Sequence, residues 1–247
     1  MITKIIADLG NTSLKLACFR GKELLKAVRV AITNEDDIEE AFLKLMVYNP
    51  EIAYLSSVAG KNKGLEKCLK RAKINTIQIS NQWPVPISNK YLSHETLGID
   101  RLANAVAAAL LFPKQPVVVI DVGTCIKFDF VNKHNEYFGG SISPGIDMRF
   151  KALHQFTNAL PLINRSEEVF LIGRNTQESI NSGVINGALA EVNGILDQYL
   201  MTHKNLQIVV TGGDQMLFER NIKFSFASEP WLTLYGLNEI QNLHDPI

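Results

Sequence analysis

Two stretches in separate halves of the chain repeat one pattern and decide the fold. The first is IIADLGNTSLK, residues 5–15, and the second is VVVIDVGTCIK, residues 117–127. In each, an apolar run meets an aspartate, Asp8 or Asp121, followed by a glycine and a threonine before apolar residues resume. This pattern predicts a strand, a tight turn and a second strand in both places. We interpret the repeat as an internal duplication.

The tips of the two predicted hairpins have the chemistry of a phosphate or cation site. Gly10 and Gly123 lack a Cβ, so the backbone can approach a phosphate closely. Turn N–H groups and threonine hydroxyls bind phosphate oxygens, and a carboxylate holds Mg²⁺ or a monovalent cation. Aspartate and glycine are also common in hairpins that have no function. The second copy, together with TGGD at residues 211–214 after a third predicted strand, favours the functional interpretation.

The composition is typical of a globular protein and argues against several partners. Of 247 residues, 46% are hydrophobic and 20% charged, and the formal net charge is zero. We therefore expect neither nucleic acid nor a membrane as a partner. Lys4 and Asp8 interrupt the N-terminal apolar run, so we expect no signal peptide. No apolar run reaches the roughly 18 residues of a membrane span, so we expect no membrane-spanning helix. Three dispersed cysteines fit a reducing cytoplasm.

Strands and helices alternate in the predicted order. The first 80 residues or so predict β-β-β-α-β-α-β, and residues 81–96 predict a loop near a site. Residues 97–112 predict a buried helix that is apolar almost all round. After the second hairpin we expect a strand with a bend at Gly139-Gly140, a helix opened by Pro144 and one long helix over residues 175–201. A strand, a glycine turn, a short helix and a final helix follow.

Asp100 opens the predicted buried helix, with Arg101 beside it. The helix N-terminus and the guanidinium both favour an ionised carboxylate. Such a carboxylate can orient a substrate hydroxyl and accept its proton during phosphoryl transfer, and Arg101 can pair with a substrate carboxylate. Helix capping with an Asp–Arg pair explains the same residues equally well. For Thr176, an N-cap is the usual role, and Glu178 predicts a capping box with Asn175.

An ordered set of motifs resembles the type III pantothenate kinase family, within the acetate and sugar kinase/Hsp70/actin superfamily. The set covers essentially the whole chain, and G-x-D-R followed by D-x-G-T and N-T-x-x-S is its most specific part. The matching stretches are DLGNTSLK (8–15), YLSHETLGIDR (91–101), DVGT (121–124), GGSISPG (139–145), ALHQFTNALP (152–161), NTQESINSG (175–183), TGGD (211–214) and PWLTLYGL (230–237).

The resemblance implies an α/β fold with two ribonuclease-H-like (actin-like ATPase) domains. Each would have a mixed five-stranded sheet with flanking helices, with ATP in the cleft between the domains. We place the domains at residues 1–112 and 113–247. The implied activity is ATP-dependent phosphorylation of pantothenate to 4'-phosphopantothenate, the first step of coenzyme A biosynthesis. The implied enzyme is a cytoplasmic homodimer that transfers the phosphoryl group directly.

The resemblance also assigns roles to single residues. Asp100 would be the catalytic base, Asp8 would hold Mg²⁺, and Asp121 would hold the monovalent cation, K⁺ or NH₄⁺. Thr176 would reach the substrate across the dimer interface. The implied ATP-binding residues are Asp8, Gly10, Asn11, Thr12, Lys15, Thr124, Gly212 and Gly213. The other implied pantothenate-binding residues are Tyr91, Gly98, Ile99 and Arg101.

Four residues depart from the family pattern: His94, Leu102, Cys125 and Lys127. The family usually has proline, tryptophan, alanine and threonine at these positions. Lys127 matters most, because a cation beside the Asp121 turn could weaken or replace the K⁺ requirement. Side chains alternate along a strand, and we expect Lys127 to point away from the turn.

Two other functions remain open at this point. One is a regulatory protein that keeps the fold without catalysis, which the presence of Asp8, Asp100 and Asp121 disfavours. The other is a sugar or acetate kinase of the same superfamily. A basic residue beside Asp100 suits a carboxylate-bearing substrate and argues against that alternative.

Overall fold

The computed structural model describes residues 2–57 and 60–245, which form two sheets with flanking helices. The helices are α1 (Glu35–Met46), α2 (Lys63–Arg71), α3 (Ile99–Leu111), α4 (Ile146–Gln155), α5 (Thr176–Asn181), α6 (Gly187–Thr202), α7 (Gln215–Glu219) and α8 (Leu232–His244). The strands are β1 (Thr3–Leu9), β2 (Ser13–Arg20), β3 (Glu23–Ala31), β4 (Ile52–Ser57), β5 (Asn75–Gln78), β6 (Ser88–Asn89), β7 (Val117–Val122), β8 (Cys125–Val131), β9 (Glu136–Pro144), β10 (Gln207–Thr211) and β11 (Ala227–Ser228).

The chain divides into two compact units. The first consists of Met1–Lys114, Val131–Phe138 and Trp231–Ile247, and the second of Gln115–Phe130 and Gly139–Pro230. The first break lies close to the boundary predicted at residues 112 and 113, but the units are not continuous in sequence. The predicted domain boundaries therefore stay a prediction.

The first sheet has the predicted mixed arrangement, with strand order β3-β2-β1-β4-β5. β1 and β2 form the predicted hairpin, in which Asp8 lies directly opposite Lys15. β1 pairs in parallel with β4, and β4 with β5. Every residue of β1, the central strand of this sheet, is buried. The order of elements expected for the first 80 residues is confirmed.

The second sheet repeats this order and adds one strand, so the expectation of five strands is wrong for it. Its order is β11-β10-β7-β8-β9-β6, in which β7 is flanked by β8 and, in parallel, by β10. The extra strand β6 contains only two residues, Ser88 and Asn89, from the segment predicted as a loop. Such a short strand in a segment with prolines has no alternating pattern from which it could be predicted.

Two details after the second hairpin also differ from the prediction. Gly139-Gly140 lies inside β9, not at a bend after it, and Pro144 is the last residue of β9. α4 begins at Ile146 with Gly145 as its N-cap. The predicted long helix is interrupted by a π-helical segment, Ser182–Asn186, between α5 and α6. The side chains of Ser182 and Asn186 bind the carbonyls of Leu171 and Phe170 there.

α3 and α8 pack together closely in the first unit. A Cβ at Gly236 of α8 would overlap the carbonyl group of Ala103 in α3, so this position requires glycine. α3 is buried almost all round, as predicted, and Asn104 within it is fully buried. This packing holds the first turn of α3, which carries Asp100, in a fixed place. Over the described residues no helix is long and apolar enough to cross a membrane.

Candidate active site

The β1–β2 hairpin places a buried carboxylate beside an ammonium group. Asp8 is the penultimate residue of β1 and is 4% exposed. Its Oδ2 lies 3.1 Å from Nζ of Lys15, which stands opposite it on β2. The turn closes with a hydrogen bond from Gly10 N to Ser13 O, and Asn11 and Thr12 at its tip are exposed. The predicted residues of this hairpin therefore lie together, with the tip accessible to a ligand.

Lys15 is held by residues that the sequence analysis missed. Its Nζ donates to Oγ1 of Thr233 at 3.2 Å, and Thr233 Oγ1 donates in turn to Oδ1 of Asn104 at 2.8 Å. Thr233 belongs to α8 and Asn104 to α3, and both side chains are buried. The chain of hydrogen bonds joins the hairpin to both helices. The motif PWLTLYGL contains Thr233, but it assigned no role to this residue.

The second oxygen of Asp8 is available for a ligand. Oδ1 is buried and makes no hydrogen bond to any residue in the described ranges. Leaving a buried carboxylate oxygen without a partner is costly, so this atom fits a bound cation. Mg²⁺ typically uses one or two carboxylates together with waters and substrate phosphates. A single carboxylate suffices for such a site, and the described residues include no cluster of three or more His, Cys, Asp or Glu.

The β7–β8 hairpin repeats the pairing of acid and lysine. Asp121 is the penultimate residue of the buried strand β7, and Lys127 lies on β8. Nζ of Lys127 lies 2.7 Å from Oδ2 of Asp121, and their side chains are 17% and 10% exposed. Our expectation that Lys127 points away from the turn is therefore wrong. Lys15 occupies the equivalent place in the first hairpin. By analogy with the pairing of Lys15 and Asp8, the sequence repeat could have predicted that Lys127 faces Asp121.

Glycines bring the backbone close to the turn of the second hairpin. Gly145 N donates to Thr124 O at 3.0 Å, and a Cβ at Gly145 would overlap the carbonyls of Gly123 and Thr124. Gly212 has φ +112°, a conformation that favours glycine, and a Cβ there would overlap the backbone of Val122. The 211–214 turn is thus packed against the end of β7.

Arg165, which the sequence analysis did not single out, fixes the acid of the TGGD turn. Its guanidinium donates to both carboxylate oxygens of Asp214 and, from Nε at 2.7 Å, to Oδ1 of Asp147. Burial alone would lower the pKa of Arg165, but hydrogen bonds to the two carboxylates raise it above its usual value. Asp214 is therefore held by a bidentate pair, which orients the turn that begins at Thr211.

Asp100 lies in the first turn of α3 and folds back over the N-cap residue, Gly98. A Cβ at Gly98 would overlap Oδ1 of Asp100, so the missing side chain leaves the carboxylate its space. The N-terminus of α3 favours negative charge at this place. Arg101 is 5% exposed, and its guanidinium carbon lies 5.4 Å from the centre of the Tyr91 ring. Tyr91 also contacts the buried Tyr137, at 6.2 Å between ring centres.

Arg101 and Tyr91 are thus in contact, and Gly98, Ile99 and Asp100 belong to the same turn of the chain as Arg101. Tyr137 supports this group from β9, a strand to which the sequence analysis assigned no function. The carboxylate of Asp100 is partly exposed, whereas Arg101 is buried. A partly exposed acid beside an arginine can bind a substrate with both a hydroxyl and a carboxylate.

Thr176 is the first residue of α5, and its side chain is exposed. The N-cap is Asn175, whose Oδ1 accepts from Glu178 N at 2.8 Å, while Glu178 Oε1 accepts from Asn175 Nδ2 at 2.8 Å. The predicted pairing of Asn175 and Glu178 at the helix start is confirmed. Asn175 supplies the cap, so Thr176 is not needed for it.

Comparison with known proteins assigns the chain to a family. The family model described as type III pantothenate kinase matches residues 4–198. A type III pantothenate kinase of Phocaeicola vulgatus is 36% identical over 98% of this chain and 99% of its own length. A type III pantothenate kinase of Christiangramia forsetii is 37% identical over 96% of both chains. The chain belongs to the type III pantothenate kinase family. It is therefore a member of a kinase family, and the resemblance noted in the sequence is confirmed.

Solved structures support the fold of this type III pantothenate kinase family member. A putative Baf family transcriptional activator from Campylobacter jejuni has a TM-score of 0.58 at 21% identity, over 98% of this chain and 100% of that one. Component A of (R)-2-hydroxyglutaryl-CoA dehydratase from Acidaminococcus fermentans has a TM-score of 0.54 at 13% identity, over 100% and 99%. These similarities concern the fold alone. The predicted actin-like ATPase class is confirmed by them and by the two mixed sheets.

Proposed function

We propose that the protein transfers a phosphoryl group from ATP to the hydroxyl of pantothenate, the first step toward coenzyme A. One observation carries this proposal: a chain of this family retains Asp100 at a helix N-terminus beside Arg101 and Tyr91. The alternatives lack such support. A regulatory protein would not need these acids, and a sugar kinase would not need the arginine.

Asp100 is the proposed catalytic base. Its carboxylate would orient the pantothenate hydroxyl and accept its proton as the phosphoryl group is transferred. Gly98 leaves the space for that carboxylate, and the amide end of α3 stabilises its charge. We propose that the transfer from ATP to the hydroxyl is direct, without a phosphoenzyme.

The pantothenate carboxylate would pair with Arg101. Tyr91 lies against the Arg101 guanidinium and holds it in place, and the backbone of Gly98 and Ile99 forms the adjoining surface. Thr176, with its exposed hydroxyl, is the proposed contribution from a second copy of the chain, so we propose a homodimer. Light scattering of the purified protein would test that state, and a monomer would contradict it.

The first hairpin is the proposed site for Mg²⁺ and the phosphates. Asp8 Oδ1 would hold the ion, and Mg²⁺ when bound would neutralise charge on the transferring phosphate. Lys15, positioned by Thr233, would contact a phosphate oxygen, and the backbone of Gly10 with Asn11 and Thr12 would bind others. In the second unit, Thr124, Gly212 and Gly213 are the proposed nucleotide contacts.

The monovalent cation, K⁺ or NH₄⁺, fits less well at Asp121. The Lys127 ammonium is bound to the carboxylate on which such an ion would depend. We therefore assign no part of the transfer to a monovalent cation. We place the reaction in the cytoplasm and propose neither nucleic acid nor a membrane as a partner.

A product assay tests the proposed function. Purified protein, ATP and Mg²⁺ are incubated with pantothenate, with glucose or with acetate, and ADP and the phosphorylated product are measured by mass spectrometry. We expect phosphopantothenate and ADP in equal amounts, and no product from glucose or acetate. ADP release that pantothenate does not increase would refute the proposal, and product from glucose alone would favour the sugar-kinase alternative.

A further inference from the structure

Lys127 forms a partly buried ion pair at the point where a monovalent cation is expected. Its Nζ lies 2.7 Å from Oδ2 of Asp121, and the two side chains are 17% and 10% exposed. Both residues belong to one hairpin of the second unit. We propose that the Lys127 ammonium serves as a built-in substitute for the monovalent cation. The kinase then works without added K⁺ or NH₄⁺.

The chemistry of the two cations supports the substitution. A lysine ammonium carries one positive charge and three N–H donors, so it can neutralise a carboxylate and bind neighbouring oxygens as NH₄⁺ does. A second cation on the Asp121 carboxylate would lie within a few ångströms of the ammonium. Like charges at such a distance in a partly buried place repel strongly. The site therefore holds the lysine or a free cation, but not both.

The covalent link makes the lysine the stronger competitor. Lys127 is held beside Asp121 by the strands of the hairpin, so it binds intramolecularly and needs no ion from solution. A free ion would have to displace a buried ammonium from a carboxylate, and then Lys127 would lose its partner. The saturation of the site thus does not depend on the salt around the protein.

The first hairpin shows that the fold accommodates this pair. Lys15 and Asp8 form the same cross-strand contact at 3.1 Å, with side chains that are 12% and 5% exposed. There, Lys15 also donates to Thr233. The duplication thus carries an acid–lysine pair in both copies.

A cation-dependence assay tests the substitution, which rests on the proposed function. Pantothenate-dependent ADP release is measured in K⁺, NH₄⁺, Na⁺ and choline salts at equal ionic strength. We expect the wild-type rate to vary less than about twofold between these salts. Lys127→Thr removes the ammonium from the Asp121 carboxylate. The rate of ADP release by this variant should fall in choline and rise about tenfold when K⁺ or NH₄⁺ is present. Lys204→Ala removes an exposed lysine from the same unit and should behave as wild type.

Two results of this assay would overturn the substitution. One is activation of the wild type by K⁺ of tenfold or so over choline. The other is a Lys127→Thr variant as active in choline as the wild type. If Lys127→Thr does not fold, Lys127→Ser, which also leaves the Asp121 carboxylate open to an ion, takes its place. If no salt gives pantothenate-dependent ADP release, the proposed function has failed.

A binding measurement without substrates tests the cation substitution separately from the proposed kinase function. The unfolding temperature of each protein is compared in K⁺ and choline, since an ion that binds the folded state raises it. We expect no difference for the wild type and a rise of about 2 °C or more in K⁺ for Lys127→Thr. A K⁺-specific rise in the unfolding temperature of the wild type, or no such rise for the variant at Lys127, would contradict the substitution even if the kinase proposal held.

Discussion

At the scale of single residues, two aspartates in equivalent positions, Asp8 and Asp121, differ in how well each can bind a cation. Asp8 shares one oxygen with Lys15 and keeps Oδ1 without a partner in the described ranges. Asp121 is bound by Lys127 at a shorter distance, 2.7 Å against 3.1 Å. The proposed Mg²⁺ site in the first hairpin and the proposed internal ammonium in the second both rest on this difference. Asp100, the proposed base, lies at a third place, where Gly98 leaves room for its carboxylate.

Gly98→Ala tests that room. The φ of −61° and ψ of 131° at Gly98 suit alanine, so the backbone needs no change. The new Cβ would overlap Oδ1 of Asp100 and turn the carboxylate away. We expect kcat to fall by about 10- to 100-fold, since misplacement by an ångström costs this much. Steady-state kinetics with pantothenate measures it.

The control for Gly98→Ala is Gly194→Ala, at a helical glycine with open space around its Cβ position. This variant should keep wild-type kinetics. Full activity of Gly98→Ala with an unchanged unfolding temperature would show that the placement of Asp100 does not depend on Gly98.

At the scale of elements, the sequence predicted what periodicity and turn chemistry determine. The two hairpins, α1 and α3 follow from alternation, capping and apolar spacing. The strand β6 and the π-helical segment have no such pattern, because they depend on contacts with residues distant in sequence. The same limit explains the site. Asp100 and Asp8 lie in recognisable motifs, whereas Asn104 and Thr233 acquire their role only when α3 meets α8.

Gly236→Ala tests the contact between α3 and α8. A Cβ at Gly236 would overlap backbone atoms of Ala103, and a backbone cannot rotate away as a side chain can. We expect a loss of about 1–3 kcal/mol or more in the free energy of unfolding, as for overpacking. Urea denaturation measures the loss. Gly194→Ala is again the control and should be neutral or stabilising by up to about 1 kcal/mol. Equal stability of the two variants would contradict close packing here.

At the scale of the whole molecule, the stability of the first unit should depend on pH through Lys4. Lys4 is 3% exposed on β1 and donates to side chains of Gln241 and Asn242. Burial lowers the pKa of Lys4 from 10.5 to about 8, although Asp245 and Glu239 partly oppose this. Between these values the folded protein has released a proton that the unfolded chain still binds. The contribution of Lys4 to the free energy of unfolding should therefore rise with pH over this range.

Lys4→Met removes this contribution. Between pH 7.5 and 9.5 the wild type should gain about 1–3 kcal/mol relative to the variant, from one to two pKa units of linkage. Chemical denaturation at both pH values and one ionic strength measures the gain. The comparison with the variant isolates Lys4, because burial raises the pKa of Cys18 to about 11 and that of Tyr54 to about 12, and these shifts act in the opposite direction in both proteins. A wild-type curve parallel to that of the variant would contradict the effect of burial on Lys4.

The central claim is that this chain phosphorylates pantothenate with Asp100 as the base, and one measurement tests it most directly. Pantothenate-dependent ADP release is compared for the wild type and Asp100→Asn, which keeps the shape of the side chain but cannot accept the proton. We predict clear pantothenate-dependent turnover for the wild type, a fall of about 10²- to 10⁴-fold in kcat for the variant, and unchanged unfolding. Near-normal turnover of a folded Asp100→Asn would contradict the role of Asp100, and no pantothenate-dependent release by the wild type would contradict the activity itself.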